Sequence, residues 1–273
     1  MTVRSVERAV KVLSAVIEAS EPVSLTDVAS KTGLPVATTK RFLDTLTKTL
    51  ILSKRGRLYS PGIRLFEIGK KTEQRMDLVP AAMPYLVKLR DNVGESANLA
   101  ILDKTDVVYL ASVESPRMMR TFTVPGARIP AHCTGVGKIL LSGHSDDRLR
   151  KLYESCVQGD SGESGDSQSL VHAKLERFTS NTIDSVDMLI REIKKARRLG
   201  YATDEGEREE GVVCIAAPVR DYSGSIVAAV SISGPAYRLD RDGKLKARAY
   251  VVKCGQDISR SLGGTSKGEN PGR

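Results

Sequence analysis

The sequence predicts an α+β protein in two parts: an N-terminal winged helix-turn-helix, then a linker helix, then a C-terminal α/β domain built on an antiparallel sheet. Three observations predict it. At 273 residues, 40% of them hydrophobic, the chain is long enough for two separate cores. Apolar spacing is mostly helical as far as about residue 93 and then turns to the alternation of strands. The charge is uneven: within a net +9, residues 1–75 carry 14 basic against 7 acidic side chains, while the remaining 28 basic residues are nearly matched by 26 acidic ones. A basic excess confined to the first quarter points to a polyanionic partner for that segment.

Taken in order, Ser5 to Ala19 carries Val6, Ala9, Val10, Leu13, Val16 and Ile17 at helical spacing with charges opposite, the pattern of an amphipathic helix. Ser24 suits the N-cap of a short helix over Leu25 to Lys31. Ala29 is small where two helices cross closely, and Gly33, four residues later, supplies a turn free of Cβ constraint. A second helix then begins beside Pro35. Leu34, Phe42, Leu43 and Leu46 pack it, which leaves Val36, Ala37, Thr38, Lys40 and Arg41 mostly free; Thr39 stands where an apolar β-branched residue is usual. Ile51 to Tyr59 reads as a hairpin whose tip carries Lys54, Arg55 and Arg57.

This composition suits DNA. Threonine hydroxyls and helix N-terminal N–H groups meet phosphates or base edges, Lys40 and Arg41 add charge, and the hairpin tip reaches the neighbouring backbone or minor groove. The blander readings are a winged helix that docks on another protein and a merely structural bundle.

Ile63 to about Met76 reads as the connecting helix, with Ile63, Phe66 and Ile68 on its more apolar side. A helix over about Ala81 to Val93 ends at Gly94, and SANLAILDKTDVVYLASVES forms two strands around an Asp-Lys-Thr-Asp turn. RTFTVPGARIP adds a strand and a turn. Helices follow at Gly137 to Ser142 and from Asp184 or Ser185 to Leu199, the latter closed by Gly200. The strands VVCIAAPVRD and SIVAAVSISG flank a Tyr-Ser-Gly turn, and a last helix runs from about Asp242 to Leu262. Gly159 to Ser169 is too rich in Ser, Gly and Asp to bury a core and reads as a mobile loop. The domains are therefore 1–62 for the winged helix, 63–79 for the linker and 80–262 for the second domain, with a disordered tail over 263–273.

Several classes are excluded. No apolar run approaches the roughly 18 residues needed to span a bilayer, and the N-terminus lacks a signal peptide's uninterrupted apolar region, so the cytoplasm is expected. The four cysteines (Cys133, Cys156, Cys214, Cys254) are far apart and form no C-x-x-C, which argues against a zinc ribbon or a redox dithiol. No P-loop or His-x-x-x-His spacing occurs, and no metal or cofactor is expected.

RSVERAVKVLSAV, LTDVASKTGLPVATTKRFLDTL and YSPGIRLFEIG resemble the N-terminal half of the isocitrate lyase regulator (IclR) family of bacterial transcription factors. PAHCTGVGKILLS, GYATDEGEREEGVVCIAAPVRD and GSIVAAVSISGP resemble that family's effector domain, so the likeness spans about residues 4 to 262. The resemblance implies a winged helix, a linker helix and a GAF-like effector domain. It further implies dimers, or tetramers built from dimers, that bind palindromic operators and sense small metabolites. It places Gly135, Val136, Asp204, Cys214, Ser231 and Ser233 at positions that line the effector pocket.

The residues of that half carry a reading of their own. Cys214 and Ala216 share one strand face, and Ser231 and Ser233 share another with Val227 and Ala229, leaving room and hydroxyl donors for a small ligand. The Thr134-Gly135-Val136-Gly137 turn before a helix offers N–H groups to a carboxylate. Together they suggest an organic or aromatic acid. Each has an ordinary alternative: strand hydroxyls for the serines, a small buried hydrophobe for Cys214, a tight turn for the glycines, a loop cap for Asp204. Cys214 with His132 and Asp204 superficially resembles a thiol hydrolase. Yet Cys214 lies within an apolar strand, and nothing near it in sequence would depress its pKa, so the chain is expected not to be an enzyme.

Overall fold

The computed structural model describes residues 3–74, 78–158 and 175–263, so the Gly159 to Ser169 loop and the tail beyond Gly263 lie outside the described residues. Residues up to Asp77 and residues from Leu78 fall into two compact units.

In the first unit, helices α1 (Arg4–Ile17), α2 (Leu25–Thr32) and α3 (Val36–Lys48) precede a three-stranded sheet of β1 (Val23–Ser24), β2 (Leu52–Arg55) and β3 (Leu58–Pro61), in the order β1-β3-β2. Local chemistry sets the breaks. Ser24 and Asp27 form a reciprocal capping box at the start of α2, and Gly33 ends it at φ +68°, a left-handed conformation that an L side chain adopts only at a cost. Gly56, also left-handed, is the first residue of a two-residue turn closing Arg55 on Leu58, the II′ pattern that follows strand twist. Val12, Ala15, Val16, Val28, Leu43, Leu52 and Tyr59 form the core, with Leu34, Phe42 and Leu46 packed against it. Helix α4 (Ile63–Gln74) leaves the sheet after Gly62, whose Cα presses on the Leu50–Leu52 backbone where a Cβ would clash.

The apolar stripe of α1 divides in an instructive way. Only Val16 of the expected stripe joins Val12 and Ala15 in the core, while Val6 (59%), Val10 (55%) and Ile17 (46%) stay exposed. A three-helix unit this small can cover one side of α1; the other side is left bare.

In the second unit, six antiparallel strands lie in the order β6-β5-β4-β9-β8-β7: β4 (Ser96–Asp103), β5 (Asp106–Val113), β6 (Arg128–Pro130), β7 (Ala202–Glu205), β8 (Val212–Arg220) and β9 (Ile226–Pro235). One face, with Val213, Ile215, Ala217, Val230 and Ile232, packs on α5 (Leu78–Val93) and α9 (Arg241–Ser261). The other, with Ala100, Ala216 and Ala229, packs on α6 (Gly135–Leu141) and α8 (Val186–Leu199). Alanines on that second face let α6 approach closely. A further helix, α7 (Asp146–Gln158), has no counterpart in the sequence reading, because its charges mask a short Leu149, Leu152, Tyr153 stripe.

RTFTVPGARIP gives the expected turn, at Pro125-Gly126, and strand, the short edge strand β6, while the rest of residues 116–127 runs as an irregular strap. Asp204 sits on an edge strand, β7, and also caps the loop that follows: its Oδ1 accepts from the Glu207 N–H at 2.7 Å. Among the described residues no helix is long and apolar enough to cross a membrane.

Candidate functional site

In the first unit, Val36, Ala37, Lys40 and Arg41 are exposed along α3 and Thr38 is half-buried. Thr39 is fully buried, and its hydroxyl bonds back to the Pro35 carbonyl at 3.2 Å. The polar atom that looked out of place is thus satisfied by its own helix while the methyl fills the core. Lys40 is less free than its position suggests: Asp44, one turn on, pairs with it at 2.5 Å and raises its pKa. Lys54 lies 5.1 Å over the Tyr59 ring, which orients the hairpin tip. Among the described residues, Arg41, Arg55 and Arg57 carry no ion pair. The face is small at the N-terminal end of α3, basic at the wing and largely unpaired, which is the chemistry of phosphate contact beside base readout.

In the second unit, a cavity of about 600 Å³ opens beside the sheet, within the size range of small-molecule sites. Asp204, Cys214 and Ser233 line it, together with Thr134, Tyr109 and Arg208. Register explains the convergence: Cys214 pairs with Asp204 on β7 and with Ser233 on β9, so one row across three strands carries all three side chains. Gly135, Val136 and Ser231, expected to line the pocket, are not part of its lining, because the Cys214 row and the start of α6 pack together there. A Cβ on Gly135 would lie 3.3 Å from the Cys214 sulfur, Val136 is buried, and the Ser231 hydroxyl is buried without a hydrogen-bond partner. Gly137 has a different task. Its N–H is taken by the Thr134 hydroxyl at 3.0 Å, and its Cα presses on the Ala131 backbone.

Electrostatics follow from burial. Desolvation, aided by the nearby Glu207 charge, pushes Asp204 up to about 7 against the pull of its backbone hydrogen bond and of Lys138. Burial pushes the Cys214 thiol up to about 11, and the Asp204 charge adds to it. A thiol held protonated in this way is the reverse of an activated nucleophile. His132 is lowered by burial and bonds through Nε2 to the Glu176 carbonyl at 2.9 Å, a packing role beside Phe178.

Sequence reasoning missed the strap. Met119, Arg120, Thr121, Phe122 and Thr123 wall the mouth of the cavity. The strap is fastened by the buried Glu95, which accepts from Arg117 (2.6 Å) and from Arg238 (2.6 and 2.8 Å), and by Thr121, which donates to the Ser233 carbonyl. A glutamate immediately before a buried strand, with arginines far off in sequence, is visible only once the chain is folded. A smaller cavity of about 280 Å³ between α8, β7 and α9 holds none of the expected site residues.

Comparison with known proteins agrees with both halves. Residues 5–55 match the IclR helix-turn-helix domain, and residues 70–260 match the bacterial transcriptional regulator IclR C-terminal domain. The acetate operon repressor of Salmonella typhimurium is 31% identical over 268 residues, covering 96% of this chain and 91% of that protein. The crystal structure of a transcriptional regulator from Rhodococcus sp. RHA1 superposes with a TM-score of 0.77 at 32% identity, over 96% of this chain and 98% of the other. An IclR homologue from Microbacterium hydrocarbonoxydans, crystallised with 4-hydroxybenzoate, shares the fold at 22% identity with a TM-score of 0.77, over 94% and 98% of the two chains. The chain belongs to the IclR family of bacterial DNA-binding transcriptional regulators.

Proposed function

We propose that this regulator is a cytoplasmic repressor whose operator affinity is set by a small carboxylic acid, aliphatic or aromatic, held in the cavity lined by Thr134, Asp204, Cys214 and Ser233. The observation that carries the reading is that cavity: hydroxyls, a buried carboxyl and a thiol converge on one row of the sheet in a chain whose other unit is a winged helix. Relatives named as repressors support the direction of control. The homologue that holds 4-hydroxybenzoate supports the ligand class. Near neutral pH the Asp204 carboxyl is only partly ionised, so it can donate to a ligand carboxylate or accept from a ligand hydroxyl. Val36, Ala37, Thr38, Lys40 and Arg41 enter a major groove, with Lys54, Arg55 and Arg57 on the flanking backbone.

The working form is a dimer on a palindromic operator. Val3, Val6, Val10, Leu13 and Ile17 repeat at intervals of three and four residues along α1, the seam of a two-helix coiled coil, and most of that seam is bare. A second copy covers it in kind.

A thermal-shift screen of small aliphatic and aromatic acids, followed by operator binding with each hit, tests the reading. Hits are expected to weaken operator binding, and the effect should disappear in Asp204→Ala/Ser233→Ala. Acids that leave both melting and operator binding unchanged would overturn the effector assignment. For the DNA face, Lys40→Glu/Arg41→Glu should abolish binding to duplex with self-association intact. Retained binding would favour a winged helix that docks on protein.

A further inference from the structure

The effector helix α6 carries a lysine in the middle of an apolar run, GVGKILL, and Lys138 is buried at 2% exposure. Its Nζ donates to the Thr203 carbonyl at 2.9 Å and to Glu207 Oε1, so it bonds β7 and the β7–β8 loop together. Positions 203 and 207 flank Asp204, and the Glu207 N–H in turn donates to Asp204 Oδ1 at 2.7 Å. From outside, the loop is held by two threonine hydroxyls and a cation–π contact, and Lys244 pairs with Glu205 at its start (3.0 Å). The Thr182 hydroxyl donates to the Glu207 carbonyl and that of Thr179 to the Gly206 carbonyl, each at 2.6 Å, and Phe178 lies 3.9 Å beneath the Arg208 guanidinium. The second oxygen of Glu207 is buried without a hydrogen-bond partner.

This is an expensive way to fill space. An apolar pair of similar volume needs no desolvation of two charges and is commonly as stable or more so. What an apolar pair lacks is direction: a lysine with two fixed acceptors sets where those acceptors stand.

We propose that Lys138 is the positioning residue of the effector site: by bonding on both sides of Asp204 it fixes that carboxyl against the first turn of α6, and so fixes the geometry a ligand must fit. The purpose, though not the geometry, rests on reading the cavity as the effector site. Groups facing Asp204 from the surrounding elements are Cys214 on β8, Tyr109 on β5, Cys133 before α6, and Glu207 and Arg208 in the loop. Lys138 is the cation whose charge lowers the Asp204 pKa, so its loss leaves the loop without both its bonds and its counter-charge.

The test compares full-length wild type, Lys138→Met and the paired Lys138→Met/Glu207→Met by melting temperature and by amide hydrogen exchange over residues 204–211. Lys138→Met leaves Glu207 buried and unpaired, and the loop should exchange on the order of tenfold faster or more while the winged helix is unaffected. The paired variant buries no charge and should recover most of the melting temperature, yet the loop should stay fast, because nothing directional holds it. That split is what a merely structural pair would not give. Loop protection that returns together with melting temperature in the paired variant, or that never changes, overturns the proposal. Should Lys138→Met alone fail to fold, the paired variant decides. Addition of 4-hydroxybenzoate to each protein adds a separate arm: a wild type that ignores this and other small acids sinks the effector reading without touching the loop result, which needs no ligand.

Discussion

Asp204 shows how one residue can cap a loop and still line a cavity. Its cap is fixed by a single backbone bond, and its proton affinity by burial between two strands and a helix. The folded-state value, about 7, lies above the ordinary 3.8, so folding favours the protonated form. That contribution is fully present below pH 3.8 and is lost as pH rises through about 7. The melting temperature of wild type minus that of Asp204→Asn should therefore fall between about pH 4 and pH 7 and level off above, by several degrees for a chain of this size. A flat difference would mean the carboxyl is better solvated than its burial implies. Lys40 gives a second residue-scale expectation. If Lys40 faces DNA as proposed, its pairing with Asp44 competes with phosphate, so Asp44→Ala should tighten binding to non-specific duplex and steepen the slope of log affinity against log salt by about one. A filter-binding or fluorescence titration at three salt concentrations reads both.

At the scale of elements, what was legible in the sequence was whatever depends on residues a few positions apart. The α2 cap needs only Ser24 and Asp27, the turn only Gly33, and both were visible as strings. Ser24→Ala should cost the winged-helix unit about 1 kcal/mol, seen as a lower denaturation midpoint. Gly33→Ala should cost about as much for a different reason, the left-handed backbone at φ +68°. The strand faces of β8 and β9 were also legible, because alternation alone decides which residues share a side. Other features depend on partners far along the chain and left no local mark. Edge strand β7 is a strand because β8 lies beside it, and its Thr-Asp-Glu composition argues for a loop. The strap is held by Glu95 and Arg238, 143 residues apart. Lys138 did leave a signal, a charge inside an apolar helix, but its acceptors lie 65 and 69 residues downstream. The α1 stripe is legible, yet periodicity cannot say which half of a wide apolar face the rest of its own unit will cover.

For the whole molecule, that uncovered half matters through the proposed dimer, because a single winged helix is a weak and poorly selective DNA ligand. Two of them joined gain affinity through effective concentration: once one half-site is filled, the second binding event is intramolecular. The seam at Val6, Val10 and Ile17 belongs to the unit that carries α3, so pairing there would fix the distance between recognition helices, whatever the second unit contributes to self-association. The consequence is a ratio rather than a single affinity. Val6→Asp/Val10→Asp places two carboxylates on the seam while leaving the core residues Val12, Ala15 and Val16 alone. Binding to a DNA fragment with one half-site should be little changed. The preference for a fragment with two properly spaced half-sites should fall on the order of a hundredfold, since the linkage that created it is gone. Fluorescence anisotropy with the two fragments at matched salt reads the ratio directly. A ratio that survives both substitutions would place the junction between winged helices elsewhere than on α1.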